Sequence, residues 1–225
     1  FAFWSNPAIQ RFLIGGDIDG SPLSNERSTG FELGIEATRG AFSGRVNAYQ
    51  YNYDNFIFLQ DIKGIGNLAQ YVEKEARFYG FEAELNWKRP IGNSAVLTLS
   101  TMADSVRGIN RADDQPLPRI PPFRIGARSE LEWGYFSFGI EARRAFEQER
   151  VQPETDVVVP ELSTDAYTEL NFDANYDFEF RSATLTAFFR TTNLLDAERR
   201  PHTSFLKDVA PLPGRSINLG LRMAF

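Results

Sequence analysis

Apolar and polar residues alternate with a period of two along most of the chain. Successive side chains of a strand point to opposite faces, so this period predicts β-structure. At the C-terminal end Ile217, Leu219, Leu221, Met223 and Phe225 share one face, and Asn218, Gly220, Arg222 and Ala224 the other. Phe136, Phe138, Ile140 and Ala142 oppose Ser137, Gly139, Glu141 and Arg143 within 135–144. Leu170, Phe172, Ala174 and Tyr176 oppose Glu169, Asn171, Asp173 and Asn175 within 169–176. The stretches 31–38 and 81–88 behave in the same way, with Phe31, Leu33, Ile35 and Ala37, then Phe81, Ala83, Leu85 and Trp87, as the apolar sets. Weaker alternation marks 95–104, 124–133 and 183–192. The segment 42–58 begins in phase at Phe42, Val46 and Ala48 and blurs at Tyr49, Tyr51 and Tyr53. The pattern thus predicts nine strands and no long helix, with residues 1–30 mainly loop.

Proline supports this segmentation, because it cannot donate to a strand ladder and avoids central strands. All 12 prolines fall outside the nine segments. The connections alternate in length: short at Arg39–Ala41, Arg89–Asn93, Gly134 and Asp177–Ser182, long at roughly 59–77, 106–122, 146–164 and 193–213. Strict alternation of short turns with long loops is the arrangement of outer-membrane barrels, whose turns are periplasmic and whose loops are extracellular.

Composition refines this reading. Mean hydropathy is −0.34 and net charge −6. The chain offers no basic footprint for nucleic acid and no stretch of ~20 apolar residues for a membrane helix. A membrane barrel is compatible with such averages, since its strands mix lipid-facing and water-facing positions. The polar face carries Glu32, Glu36, Glu82, Glu84, Arg124, Arg128, Glu130, Glu132, Glu141, Arg143, Glu169, Asp173, Arg190 and Arg222. In a soluble sandwich this face is the outside; in a membrane barrel it lines a wet lumen. Segments near 9–11 residues suit a tilted membrane crossing. Trp87, Trp133, Tyr135, Tyr176 and Phe225 at one set of strand ends, and Tyr49, Tyr51 and Tyr53 toward the other, are expected to form interfacial girdles. Nine strands leave two open edges, so further N-terminal strands are expected to close the barrel.

Several segments resemble TonB-dependent outer-membrane receptors. They are Asn193-Leu194-Leu195-Asp196, His202-Thr203-Ser204-Phe205-Leu206-Lys207-Asp208, Ala210-Pro211-Leu212-Pro213-Gly214-Arg215 and the strand ending in Phe225. Tyr79-Gly80-Phe81-Glu82-Ala83-Glu84 is similar to the family's Gly-Phe-Glu strand start, and Leu117-Pro118-Arg119-Ile120-Pro121-Pro122 to its proline-rich approach to a later strand. The resemblance implies an all-β, antiparallel transmembrane barrel of about 22 strands, with residues 1–225 as its C-terminal portion and the plug domain and N-terminal strands absent. It implies TonB, acting through that plug, as energy source, and a scarce nutrient as ligand, in the branch for zinc, haem or other metal complexes. It also implies outer-membrane lipid and the barrel-assembly machinery as partners. The latter would read Leu219, Leu221, Met223 and Phe225 as its signal. Asn193, Leu194, Asp196, Ser204, Phe205, Gly214 and Arg215 are carried over as family-motif positions.

Candidate chemistry is sparse. There is no cysteine, and His202 is the single histidine. Histidine-based triads and multi-histidine metal sites would depend on it alone. Gly64-Ile65-Gly66 lacks the Lys-Ser/Thr continuation of a phosphate loop. No enzymatic activity and no cofactor are expected. His202, with Glu198 and Asp208 nearby in sequence, is the candidate metal set, since imidazole and carboxylate suit zinc; a solvated or hydrogen-bonded loop histidine is the plainer reading. Arg143-Arg144 and Arg199-Arg200 are candidates for contact with lipopolysaccharide phosphates. Alternatives are a porin or barrel enzyme, or a soluble antiparallel β-protein that binds a ligand.

Overall fold

The fold is a computed structural model describing residues 12–14, 23–61, 68–152, 161–180 and 183–224. Nine antiparallel strands form one sheet in which each pairs with its neighbour in the chain: β2 (Arg27–Arg39), β3 (Phe42–Asp61), β4 (Leu68–Ile91), β5 (Ala95–Asn110), β6 (Arg124–Trp133), β7 (Phe136–Ala145), β8 (Tyr167–Phe180), β9 (Ala183–Thr192) and β10 (Ser216–Ala224). No helix occurs among the described residues. All nine periodic segments are strands. The expectation of plain loop before residue 31 needs two corrections: β2 begins at Arg27, and a short β1 (Phe12–Ile14) pairs in parallel with Leu68–Gln70. Three residues are too few for a period to register.

The connection read as 59–77 is largely strand, because β3 runs to Asp61 and β4 starts at Leu68. A bulge explains why the period fails there. Tyr53 pairs with Ala76, but the next pair is Phe56 with Lys74, and Asn55 between them has φ 60°. Asn tolerates this left-handed conformation better than most residues. An extra residue shifts the phase, so Tyr53, Phe56 and Phe58 come to share a side despite their mixed parity.

Pro90 lies inside β4, contrary to its expected place in a turn. Beyond Trp87, β4 has lost β3 as a partner and pairs with β5 alone, Pro90 standing opposite Val96. A locally one-sided strand tolerates a missing donor. Left-handed glycine makes the tight turns, as at Gly40 and Gly134 with φ 60° and 56°.

The register sorts the faces across the sheet. Ile35, Val46, Ala83, Ala103 and Ile125 form one cross-strand row on the apolar face. Among the described residues nothing packs on this face. Even in central strands Leu85 is 51% exposed, Trp133 55% and Ile140 47%. Covering one such side chain is worth roughly 1.5–3 kcal/mol, against a total stability of about 5–15 kcal/mol for a domain. A sheet this wide with its apolar face in water is therefore untenable.

Aromatic rings bound this face at both ends. At the short-turn end Trp133, Phe136, Tyr176 and Phe178 form a chain of ring contacts, the closest being Phe136–Tyr176 at 4.5 Å. At the long-loop end Phe81, Phe123 and Phe146 form a second, with Phe123–Phe146 at 5.2 Å. From residue 136 to 146 is about 33 Å of strand at ~3.3 Å per residue, or about 25 Å when tilted ~40°, the height of an outer-membrane apolar band. Tyr49, Tyr51 and Tyr53 are not part of this outer belt, contrary to expectation. Their partners Gly80, Phe78 and Ala76 place them on the polar face, where the Tyr51 hydroxyl donates to Glu32.

Candidate functional site

The polar face is a lattice of charge pairs, some across strands and some two residues apart on one strand. Arg45 meets its register partner Glu84 at 3.1 Å, and Arg124 meets Asp104 at 2.8 Å. Arg128 bonds Glu130 and, beyond the adjacent strand, Asp173 at 2.8 Å. Glu141 accepts from Arg143 at 2.8 Å and from the Asn171 amide at 3.2 Å. Exposed pairs such as Arg45–Glu84 contribute roughly 0–1 kcal/mol each, whereas the less exposed, two-pronged Arg128–Asp173 pair is the stronger one. Their significance is environmental: ionised groups at this density require water.

A cavity of about 890 Å³ lies among small, mostly apolar-face residues such as Ala37, Gly44, Ala83, Thr101 and Ala103. Most of its exposed lining is apolar, although Arg39, Arg45, Glu84, Arg143 and Arg144 also border it.

Three long connections, 111–123, 146–166 and 193–215, join strands at the end opposite the tight turns, and within the second residues 146–152 and 161–166 are described. The first is anchored by the main buried apolar cluster, in which Leu117 packs with Phe58, Val72 and Ala76, flanked by Tyr53, Phe56, Phe78 and Ile120. The bulge in β3 is what turns those rings toward the loop. Gly108 makes room for Ile120, whose Cδ1 lies 2.6 Å from where a Cβ would stand.

Glu161 connects all three loops. Its carboxylate accepts from the Arg119 backbone N–H at 2.7 Å, the Gln152 N–H at 3.1 Å and Lys207 Nζ at 2.9 Å, and lies 3.1 Å from His202 Nε2. Burial pushes its pKa up; bonds to His202, Lys207, Gln152 and Arg119 outweigh burial and hold it down to about 2. His202 is fully buried, and its Nδ1 is 2.9 Å from the Thr164 hydroxyl. These partners fit the tautomer in which Nε2–H donates to Glu161 and Nδ1 accepts. Gln148 adds a second tie, donating to the carbonyls of Ile120 and Pro121. Arg119 has φ 60°, its guanidinium donates to the Leu59 carbonyl at 3.4 Å, and it lies 4.2 Å over the Phe205 ring.

The expected metal set is not brought together. His202 has Lys207 Nζ 3.3 Å from both ring nitrogens, and an ammonium there repels a metal ion. Glu198 pairs with Arg200 at 2.6 Å, and Asp208 is exposed. No cluster of three or more potential ligands occurs among the described residues. Of the basic pairs, Arg143 bonds Glu141 on the polar face and Arg199 is buried against Glu169 at 2.6 Å. Arg200 pairs with Glu198, while Arg144 lies on the apolar face near the outer belt, bonded to Thr168 at 3.0 Å.

Four of the seven family-motif residues, Asn193, Asp196, Gly214 and Arg215, come together. Asn193 is fully buried with φ 54°; its side chain bonds both N–H and C=O of Ala197, and its backbone N–H donates to Asn171. Asp196 accepts from the Arg215 N–H at 2.8 Å, and Gly214 leaves room for that carboxylate. Leu194 and Phe205 are exposed, and the Ser204 hydroxyl accepts from the Leu206 N–H. The motif therefore cinches the neck of the last loop just before β10. Leu219, Leu221 and Met223 share one exposed face of β10; Phe225, Gly64-Ile65-Gly66 and the turn residues Arg181 and Ser182 lie outside the described residues. Sequence reasoning missed Glu161, whose partners His202 and Lys207 lie some 40 residues downstream with no shared local pattern.

An uncovered apolar band between aromatic belts, an ionised opposite face and long loops at one end together define a membrane-spanning antiparallel β-barrel sheet. Residues 4–194 match the family described as TonB dependent receptor-like, beta-barrel. The chain belongs to that family, whose barrels lie in the bacterial outer membrane. It is similar in fold to the copper transporter OprC, with TM-score 0.74 and 21% identity over 95% of this chain and 33% of that one. It is similar also to the FrpB iron transporter from Neisseria meningitidis (F3-3 variant), with TM-score 0.64 and 12% identity over 94% of this chain and 33% of that one. The siderophore receptor PirA from Acinetobacter baumannii gives TM-score 0.64 and 14% identity over 89% and 32%. The chain thus spans about a third of these structures.

Proposed function

We propose that residues 1–225 are the C-terminal part of the barrel of an outer-membrane receptor. In this reading the receptor imports a scarce nutrient, a metal ion, siderophore, haem or similar complex, with energy delivered by TonB to a plug domain elsewhere in the protein. The supporting observation is the pairing of an ion-lined inner face with three large loops packed over one end. A simple diffusion pore needs a wide mouth, whereas a receptor needs an outer surface with enough structure to capture a dilute ligand. The relatives described as copper, iron and siderophore proteins favour metal-containing cargo. The reading assigns no covalent chemistry to these residues. Leu219, Leu221, Met223 and Phe225 would serve the barrel-assembly machinery as a recognition strand, and surrounding lipid would cover the apolar band.

Uptake by cells expressing the full-length receptor tests this. Cells are compared with a gene deletion, and with and without a functional TonB, in medium whose free iron, copper or zinc is chelated. The expected result is receptor-dependent accumulation of one metal or its complex that disappears without TonB. Accumulation equal with and without TonB would favour a passive pore instead.

A further inference from the structure

We propose that 111–123, the described segments 146–152 and 161–166, and 193–215 form one lid rather than independent loops, with the Glu161 carboxylate as the pin that holds the last segment to the others.

Glu161 is the one described acid meeting groups from all three loops at once: the Arg119 N–H from the first, the Gln152 N–H from its own, and Lys207 and His202 from the last. The joint is dry. His202 is fully buried, Lys207 is 5% exposed and the Glu161 side chain 8%. A buried ammonium without its counter-charge is strongly unfavourable, so loss of the carboxylate expels Lys207 and loosens the last loop.

The joints differ in what they depend on. The first two loops stay tied without Glu161, because Gln148 bonds the carbonyls of Ile120 and Pro121. The root of the last loop also stays fixed, because Asn193 closes on Ala197, Asp196 holds Arg215, and Arg199 pairs with Glu169 on β8. Without the pin the tip of 193–215 keeps the uncharged Thr164–His202 bond and the Arg119–Phe205 contact but loses its buried ion pair, so it loosens on a fixed neck while the other two loops remain together. Opening the whole lid with the pin in place moves all three.

The test reads distances, not transport, so it stands or fails separately from the import proposal. Spin labels are placed on the full-length receptor in outer-membrane vesicles at Ala112→Cys and Val209→Cys, and in a second sample at Ala112→Cys and Glu149→Cys, all exposed positions. With Glu161 intact, both distance distributions are expected to be narrow. Glu161→Gln is expected to broaden the 112–209 distribution about twofold and leave 112–149 unchanged. Glu198→Gln, which removes an exposed ion pair of the same loop, leaves both unchanged. If Glu161→Gln fails to reach the membrane as a heat-modifiable barrel, Lys207→Met removes the other half of the joint and must broaden 112–209 alike. A 112–209 distribution that stays narrow in the assembled variant, or broadens equally in Glu198→Gln, overturns the proposal. So does equal broadening of 112–149.

Discussion

The Arg128 guanidinium reaches Asp173 by passing over Gly139, the residue between them on the intervening strand. Arg128 is on β6 and Asp173 on β8, and Gly139 on β7 is the register partner of Asp173. The contact is a fork, with Nη1–Oδ1 at 2.8 Å and Nη2–Oδ2 at 3.3 Å. A Cβ at 139 would stand 2.3 Å from Nη2 and 2.6 Å from Oδ1. Glycine here makes room for a charge pair that skips a strand.

Gly139→Ala is expected to displace the fork while leaving the strands paired. A double-mutant cycle between Arg128→Met and Asp173→Asn, read by thermal unfolding in detergent, should give a coupling of about 1–3 kcal/mol. In the Gly139→Ala background it should shrink toward zero; an unchanged coupling there would contradict the geometry.

The two faces should respond oppositely to charge. Ile140 is on the apolar face midway between the aromatic belts, and Thr98 is on the polar face opposite Glu130. Ile140→Arg should cost about 2–4 kcal/mol at this depth, whereas Thr98→Arg should be close to neutral. Folding yields into vesicles of graded urea content measure both, and equal costs would sink the assignment of lipid and lumen.

Acid should release the lid only at low pH. Glu161 is held at about 2 against an ordinary 4.5. A depressed carboxyl pKa contributes stability that is complete above the unfolded value and lost as pH falls through the folded one. Protection of the three loops from hydrogen exchange should therefore persist down to about pH 4.5 and fall away between there and about pH 2. Loss of protection already at pH 6 would show that another group controls the joint.

Leu117 is the first loop's anchor, 2% exposed against Phe58, Val72 and Ala76. Leu117→Ala should cost about 2–4 kcal/mol of local stability, seen as faster proteolysis within 111–123 with unchanged barrel mobility on gels. Intact loops at wild-type rates would mean the cluster is not what holds them.

Asn193→Ala removes a side chain that bonds both the N–H and the C=O of Ala197, and it leaves a non-glycine residue at φ 54°. About 2 kcal/mol or more should be lost, with exchange rising at 193–215 first. Asn193→Asp keeps the acceptor but not the donor and should fall between the two.

Strand identity and face assignment were legible because period-two alternation is local: Phe136 to Ala142 carries its own answer, wherever that strand lies in the sheet. The same holds for the short turns and for three of the four long connections, the one read at 59–77 being largely strand. Alternation fails where a bulge changes phase, so the extension of β3 and β4 past Phe58 was hidden, and the three tyrosines were assigned to the wrong surface. Pro90 misled for a related reason. A proline rule presumes two partners, and only pairing reveals that β4 has one there.

The chain's own order of residues thus determined a ribbon with one greasy and one ionised side, folded back and forth with its long excursions at one end. It also carried the Asn193–Asp196 motif, though not what that motif does. Tertiary structure alone decided that Glu161 meets Lys207, that Arg128 vaults Gly139, and that His202 is buried against Glu161 and Lys207. Those partners are brought together by loop closure and register over tens of residues, and no local period encodes such distances.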